Sequence, residues 1–163
     1  MPPSAPKNSD PPSGPELPED LEGELAGRDL RGRDLRRLDL RGRDLTGAHL
    51  EGARLDGADL RDAGLSSANL SDAKLVEADL SGADLSGADL TRADLRSAIL
   101  DGATLERAVL HDSVLSAASA RNSTWGAAEA RQGDWTDLCL SGASLHRVRF
   151  HDLDLRRAKL ADG

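Results

Sequence analysis

The sequence predicts an all-β solenoid: a parallel β-helix of square cross-section, about seven coils of four pentapeptides each. Three observations predict it. Every fifth residue from Leu25 to Leu115 is leucine, nineteen in succession. Two residues before the leucine, alanine recurs from Ala48 to Ala108, thirteen times without a break. Two residues after it, glycine is common, as at Gly27, Gly47, Gly57, Gly82, Gly87 and Gly102.

A period of five suits neither common element. On an α-helix of about 100° per residue, steps of five scatter the leucines around the axis. On a flat strand they alternate between faces. All leucines point one way only if the chain makes a quarter turn in every pentad. Four pentads then close a square, and the next layer stacks at strand spacing, roughly 4.8 Å on. The alanine shares the inward face of a short extended segment with its leucine. It is small because four leucines leave little room. The residue between them points outward and is mostly polar, as at Asp59, Asn69 and Asp79. The second residue after the leucine takes the corner, where a turn calls for positive φ.

On this repeat, almost verbatim as Ala83-Asp84-Leu85-Ser86-Gly87, the chain resembles the pentapeptide-repeat family over residues 25–162. The resemblance implies a right-handed quadrilateral β-helix. It implies no single activity, because one scaffold carries different roles.

Residues 1–24 form a separate segment, read as a disordered leader. It holds all seven prolines, and Lys7 against six acids gives it a net charge of −5. Such a composition cannot bury a core. The whole chain carries −8, so the repeat region carries only −3.

The first coil, 25–44, departs from the alanine rule with Arg28, Arg33 and Arg43 at inward positions. Unpaired guanidinium groups cannot sit in an apolar column. They are read as an N-terminal cap, with stems over the leucine column and heads in water. The alternative is an anion-binding end.

Residues 45–112 carry thirteen acids against six bases. Asp39, Asp59, Asp79, Asp84, Asp89 and Asp94 are the candidate acidic interaction face. Ile99, Val109 and Val114 interrupt the polar outward positions on three different sides.

At 116–137 the centres become Ala120, Trp125, Ala130 and Trp135. Two large and two small residues fill about the volume of four leucines, so a regular coil is expected. The competing reading is an excursion whose tryptophans face a partner. The pattern then resumes through Leu140, Leu145, Phe150, Leu153, Leu155 and Leu160, the candidate dimer end. An apolar last coil with open strand edges is expected to pair with a second copy in a closed two-fold contact.

No catalytic constellation, cofactor site or metal site is read from the sequence, and no enzyme activity is expected. His111-Asp112 and His151-Asp152 fall on one corner about 10 Å apart, too far to share a metal. His49 and His146 are placed on other sides, and Cys139 at an outward position. One cysteine cannot form an internal disulfide, and no apolar run or h-region suggests a membrane or an export signal. The expected location is the cytoplasm. The function read from the residues is a rigid, non-enzymatic scaffold for a protein partner, without direct nucleic acid binding. The alternative follows from the resemblance: some members mimic DNA, bind DNA gyrase and protect it from quinolones or toxins. The weak net charge and basic ends of this chain depart from them, because mimicry needs a field of one sign.

Overall fold

The computed structural model describes residues 18–160. They form a quadrilateral parallel β-helix that advances one layer every twenty residues. Parallel bridges join each outward residue to the one twenty positions on. One side runs through Asp29, His49, Asn69, Asp89, Val109 and Glu129. Most extended segments are too short to count as strands. Two are longer, β1 (Glu129–Asp134) and β2 (Arg149–Asp154), and they pair in parallel with Ala130 beside Phe150.

Each layer is tied to the next by backbone hydrogen bonds. Leu30 N–H donates to His49 O at 2.7 Å, and His49 N–H donates back to Arg28 O at 2.9 Å. Corners are turned by β-turns such as the one closed by Arg28 N–H on Leu25 O at 3.1 Å. The third residue of each turn is left-handed. Glycine supplies that conformation at ten corners, and seventeen others hold a non-glycine residue at φ between 52° and 60°. The turn conformation is imposed by the stack, since ordinary side chains are strained there.

The interior is the column the repeat requires. The leucines at every fifth position from Leu25 to Leu115 are at most 2% exposed, and the alanines from Ala48 to Ala108 at most 1%. Each buried leucine contributes roughly 1.5–3 kcal/mol of apolar transfer.

At the lower end, part of the segment expected to be a leader lies against the first coil; residues 1–17 lie outside the described residues. A 3-10 turn, Glu19–Leu21, places Leu21 at 1% exposure beneath the first coil. Arg43 clamps it: its Nη2 donates to Leu21 O at 2.9 Å and Gly23 O at 3.1 Å. Arg28 is half-buried and Arg33 exposed. The apolar plug is therefore a leucine off the pentad register, which periodicity could not identify.

Residues 116–137 continue the stack, with bridges such as Ser119 to Cys139. Trp125 and Trp135 are fully buried and face each other across the axis, ring centroids 5.7 Å apart. Phe150, one layer up on Ala130, meets both rings edge-on at 6.1 and 5.0 Å. Both indole N–H groups find acceptors inside. Trp125 donates to Ser123 Oγ at 2.7 Å and Trp135 to Ser113 Oγ at 3.3 Å. The serines, at inward positions elsewhere held by alanine, donate in turn to the carbonyls of Ala120 and Leu110. Gly133 is needed for a steric reason. A Cβ there would lie 2.7 Å from Ser113 O and 2.8 Å from Trp135 Nε1.

The last coil is the least covered. Leu140 is buried, but Leu145, Phe150 and Leu153 are half-buried, Leu155 is 37% exposed and Leu160 58%.

Candidate interaction surface

The outward rows carry the residues that vary along the rod, because the repeat leucines from Leu25 to Leu115 are buried. Two local motifs govern them. In Asp-Leu-Arg, the arginine reaches back over the leucine and forks the aspartate. Arg41 Nε and Nη2 donate to Asp39 at 2.9 and 2.7 Å, and Arg61 repeats this on Asp59 at 2.8 and 2.5 Å. The same fork forms at Asp29–Arg31, Asp34–Arg36, Asp94–Arg96 and Asp154–Arg156. The aspartate also accepts the backbone N–H two residues on, as Asp39 does from Arg41 at 3.2 Å, and in Asp-Leu-Ser or Asp-Leu-Thr that bond remains without the fork, as Asp89 accepts from Thr91 at 2.9 Å. Both motifs are local, so each carboxylate is held before any partner arrives.

The six aspartates expected to form one acidic face do not share a side. Asp39, Asp59 and Asp79 stack on one side, while Asp84, Asp89 and Asp94 each lie on a different one of the other three. A quarter turn per pentad forces this separation. The stacked three are interleaved with arginine: Arg41 Nε also lies 3.5 Å from Asp59, and Arg61 Nε 3.8 Å from Asp79. The column alternates in sign, and its lower members are largely covered, with Asp39 and Arg41 side chains 19% and 13% exposed. The Arg41 guanidinium holds the Asp39 carboxyl below its ordinary pKa. Arg96 does the same for Asp94, and hydroxyl donors from Ser66 and Ser86 for Asp84. The Asp-Leu-Arg tripeptides were visible in the sequence. Their forks were not, because they depend on the arginine folding back across a residue that points the other way.

Histidine and cysteine are dispersed. His111 and His151 stand on one side with Arg131 between them, two layers apart. His49 lies in the outward row of a side with Asn69, Asp89 and Val109, apart from the corner row that holds His111 and His151. Cys139 occupies an outward row but is only 8% exposed, wedged between Ser119 and Lys159. The backbone N–H of Ser141 lowers its thiol pKa. Among the described residues, no three His, Cys, Asp or Glu side chains are grouped to hold a metal ion. Among the same residues, no helix is long and apolar enough to cross a membrane.

The surface has shallow clefts. One of about 710 Å³ is bounded by Asp34, Arg36, Arg37, Arg54 and Asp56, and its charges face one another. Two more, of about 470 and 360 Å³, meet at the corner of Arg107, Ala127 and Arg147.

Comparison with known proteins bears on this geometry. The family model described as Pentapeptide repeats matches residues 25–62, 63–102 and 88–124. HetL, a pentapeptide repeat protein involved in heterocyst differentiation regulation in the cyanobacterium Nostoc, is 34% identical. The alignment covers 90% of this chain and 68% of HetL, with a TM-score of 0.61. QnrB1, a plasmid-mediated fluoroquinolone resistance protein, is 18% identical over 85% of each chain, with a TM-score of 0.45. No curated protein sequence matches.

Proposed function

Given that the chain belongs to the pentapeptide-repeat family, we propose that it acts as a rigid, non-enzymatic scaffold that binds a protein partner along its sides. The observation that carries this reading is the separation of inside from outside. Twenty-seven corners keep one backbone conformation while the outward residues change from layer to layer. A frame so uniform can display a surface without itself changing, which lowers the ordering cost of binding. Affinity capture with the immobilised chain in a native lysate tests it. A partner eluted by excess free chain is expected; no competed protein would sink the reading.

DNA-like binding to gyrase is the weaker reading. It needs a continuous field of one sign, and the interleaved column of Asp39, Arg41, Asp59 and Arg61 supplies alternating signs. A supercoiling assay with gyrase, with and without fluoroquinolone, decides it: full protection at a small molar excess would reverse the ranking.

Self-association is assigned to the last coil, where Leu145, Phe150, Leu153, Leu155 and Leu160 leave an apolar surface partly open. Its rim is rich in bases, among them Arg147, Arg149 and Lys159. Two copies should therefore associate more tightly as salt rises. A monomer by sedimentation at micromolar concentration in high salt would reject the assignment.

A further inference from the structure

We propose that the corner formed by Arg107, Ala127 and Arg147 is a docking notch for an extended acidic segment of the partner. The proposal rests on the scaffold reading and adds to it the side of the rod and the chemistry recognised.

The three residues occupy one corner in successive layers. Arg107 N–H donates to Gly126 O at 2.8 Å, and Ala127 N–H to His146 O at 2.9 Å. Arg107 and Arg147 are thus two layers apart, roughly 10 Å. Between them the chain shows Gly126 and Ala127, so the middle layer has almost no side chain. The two clefts on either side of this corner share Arg107, Ala127 and Arg147 and form one continuous depression. Val109 and Glu129 bound it on one side, Glu106 and His146 on the other.

The charges are not equivalent. Arg149 is committed to Glu129 at 2.6 Å, an ion pair that also fixes the wall of the notch. Arg107 and Arg147 enter no ion pair among the described residues. Eleven of the eighteen arginines stand in ion pairs with carboxylates, so Arg107 and Arg147 belong to the minority left available, and they flank one gap. Arginine favours planar, bidentate contact with carboxylate.

An extended segment lying along the axis presents alternate side chains on one face, about 7 Å apart. Two flexible arginines rooted roughly 10 Å apart can close on carboxylates at that spacing. The methylene groups of the acidic residues would rest on Ala127 and Val109. A nucleic acid fits less well. Glu106 and Glu129 line the notch, Asp112 and Asp152 lie one turn away, and the chain carries −8 overall. A long polyanion would meet those carboxylates, whereas a short segment need touch only the arginines.

The probe is a fluorescein-labelled synthetic peptide of alternating glutamate and alanine, read by anisotropy at low salt against the full chain. The Arg107→Glu/Arg147→Glu pair is expected to weaken binding about tenfold or more. Ala127→Arg fills the gap while adding a positive charge, and weaker binding is expected there too. Arg54→Glu, on another side near the other end, should leave affinity unchanged. All four positions are exposed, and unchanged urea midpoints show that the variants fold. Equal or tighter binding by Ala127→Arg, an equal loss in Arg54→Glu, no binding by the wild type, or displacement of the peptide by single-stranded DNA at lower concentration would each overturn the proposal. Lysate capture separates the two readings. A competed partner held equally by wild type and by the double variant refutes the notch and leaves the scaffold; no competed partner at all refutes the scaffold.

Discussion

The layer of Ala120, Trp125, Ala130 and Trp135 offers a direct test of how the core is filled. If two tryptophans and two alanines stand in for four leucines, restoring leucine at one position should hurt, and restoring it at two should partly repair the damage. Ala130 is fully buried, lies in register with Phe150 and falls midway in sequence between Trp125 and Trp135 in the same layer. Ala130→Leu adds three carbon atoms where there is no space and should cost about 1–3 kcal/mol by overpacking. Trp135→Leu removes a ring 5.0 Å from Phe150 and 5.7 Å from Trp125. It should cost about 2–4 kcal/mol through the cavity and the lost aromatic contacts. It leaves no orphaned polar atom, because the indole N–H departs with the ring and Ser113 Oγ still donates to Leu110 O. The double variant puts leucine volume back into the space the indole vacates and should cost no more than either change alone. The coupling is then about 2 kcal/mol or larger. Far-UV circular dichroism in urea measures it. At a slope of about 2 kcal/mol per molar, that coupling moves the midpoint by about 1 M. A cycle additive to within about 0.5 kcal/mol would refute volume compensation, as would an Ala130→Leu variant as stable as the wild type.

Three further outcomes are expected from the same structure. Ser113→Ala removes the acceptor of the buried Trp135 N–H and should cost about 1–3 kcal/mol by urea denaturation, whereas Ser119→Ala, half-buried and bonded to side chains that water can also reach, should cost less. Gly102→Ala meets no atom within 4 Å but holds φ at +70°, so it should cost about 1 kcal/mol from backbone strain alone; Gly64→Ala, outside the left-handed region, should be neutral or stabilising. The Asp39 carboxyl is held below its ordinary pKa by Arg41, so its contribution is present above the unfolded-state pKa near 4 and fades as pH falls through the folded value. Asp39→Asn should therefore be less stable than the wild type at pH 7 by about 1 kcal/mol, and the gap should shrink in urea titrations at pH 3.

Much of this molecule is legible from the spacing of residues alone. A leucine every five positions admits only a chain that turns once per pentad. The alanine rule then dictates which side chains share the interior, and both follow from a local repeat that needs no distant contact. The solenoid's regularity is why residues twenty apart could be stacked on paper. Three things needed the tertiary structure. Leu21 closes the lower end from outside the register, held by Arg43 across more than twenty residues of chain. The indole of Trp135 is satisfied by a serine one layer below, a partner that no periodicity links to it. The expected acidic face dissolved because the sign of a surface depends on where long side chains fold. Arg41 and Arg61 lie back across their own leucines and turn a row of carboxylates into an alternating column. Backbone period settles where each Cβ points. The last few ångströms of arginine, glutamate and indole are settled by what stands in the next layer.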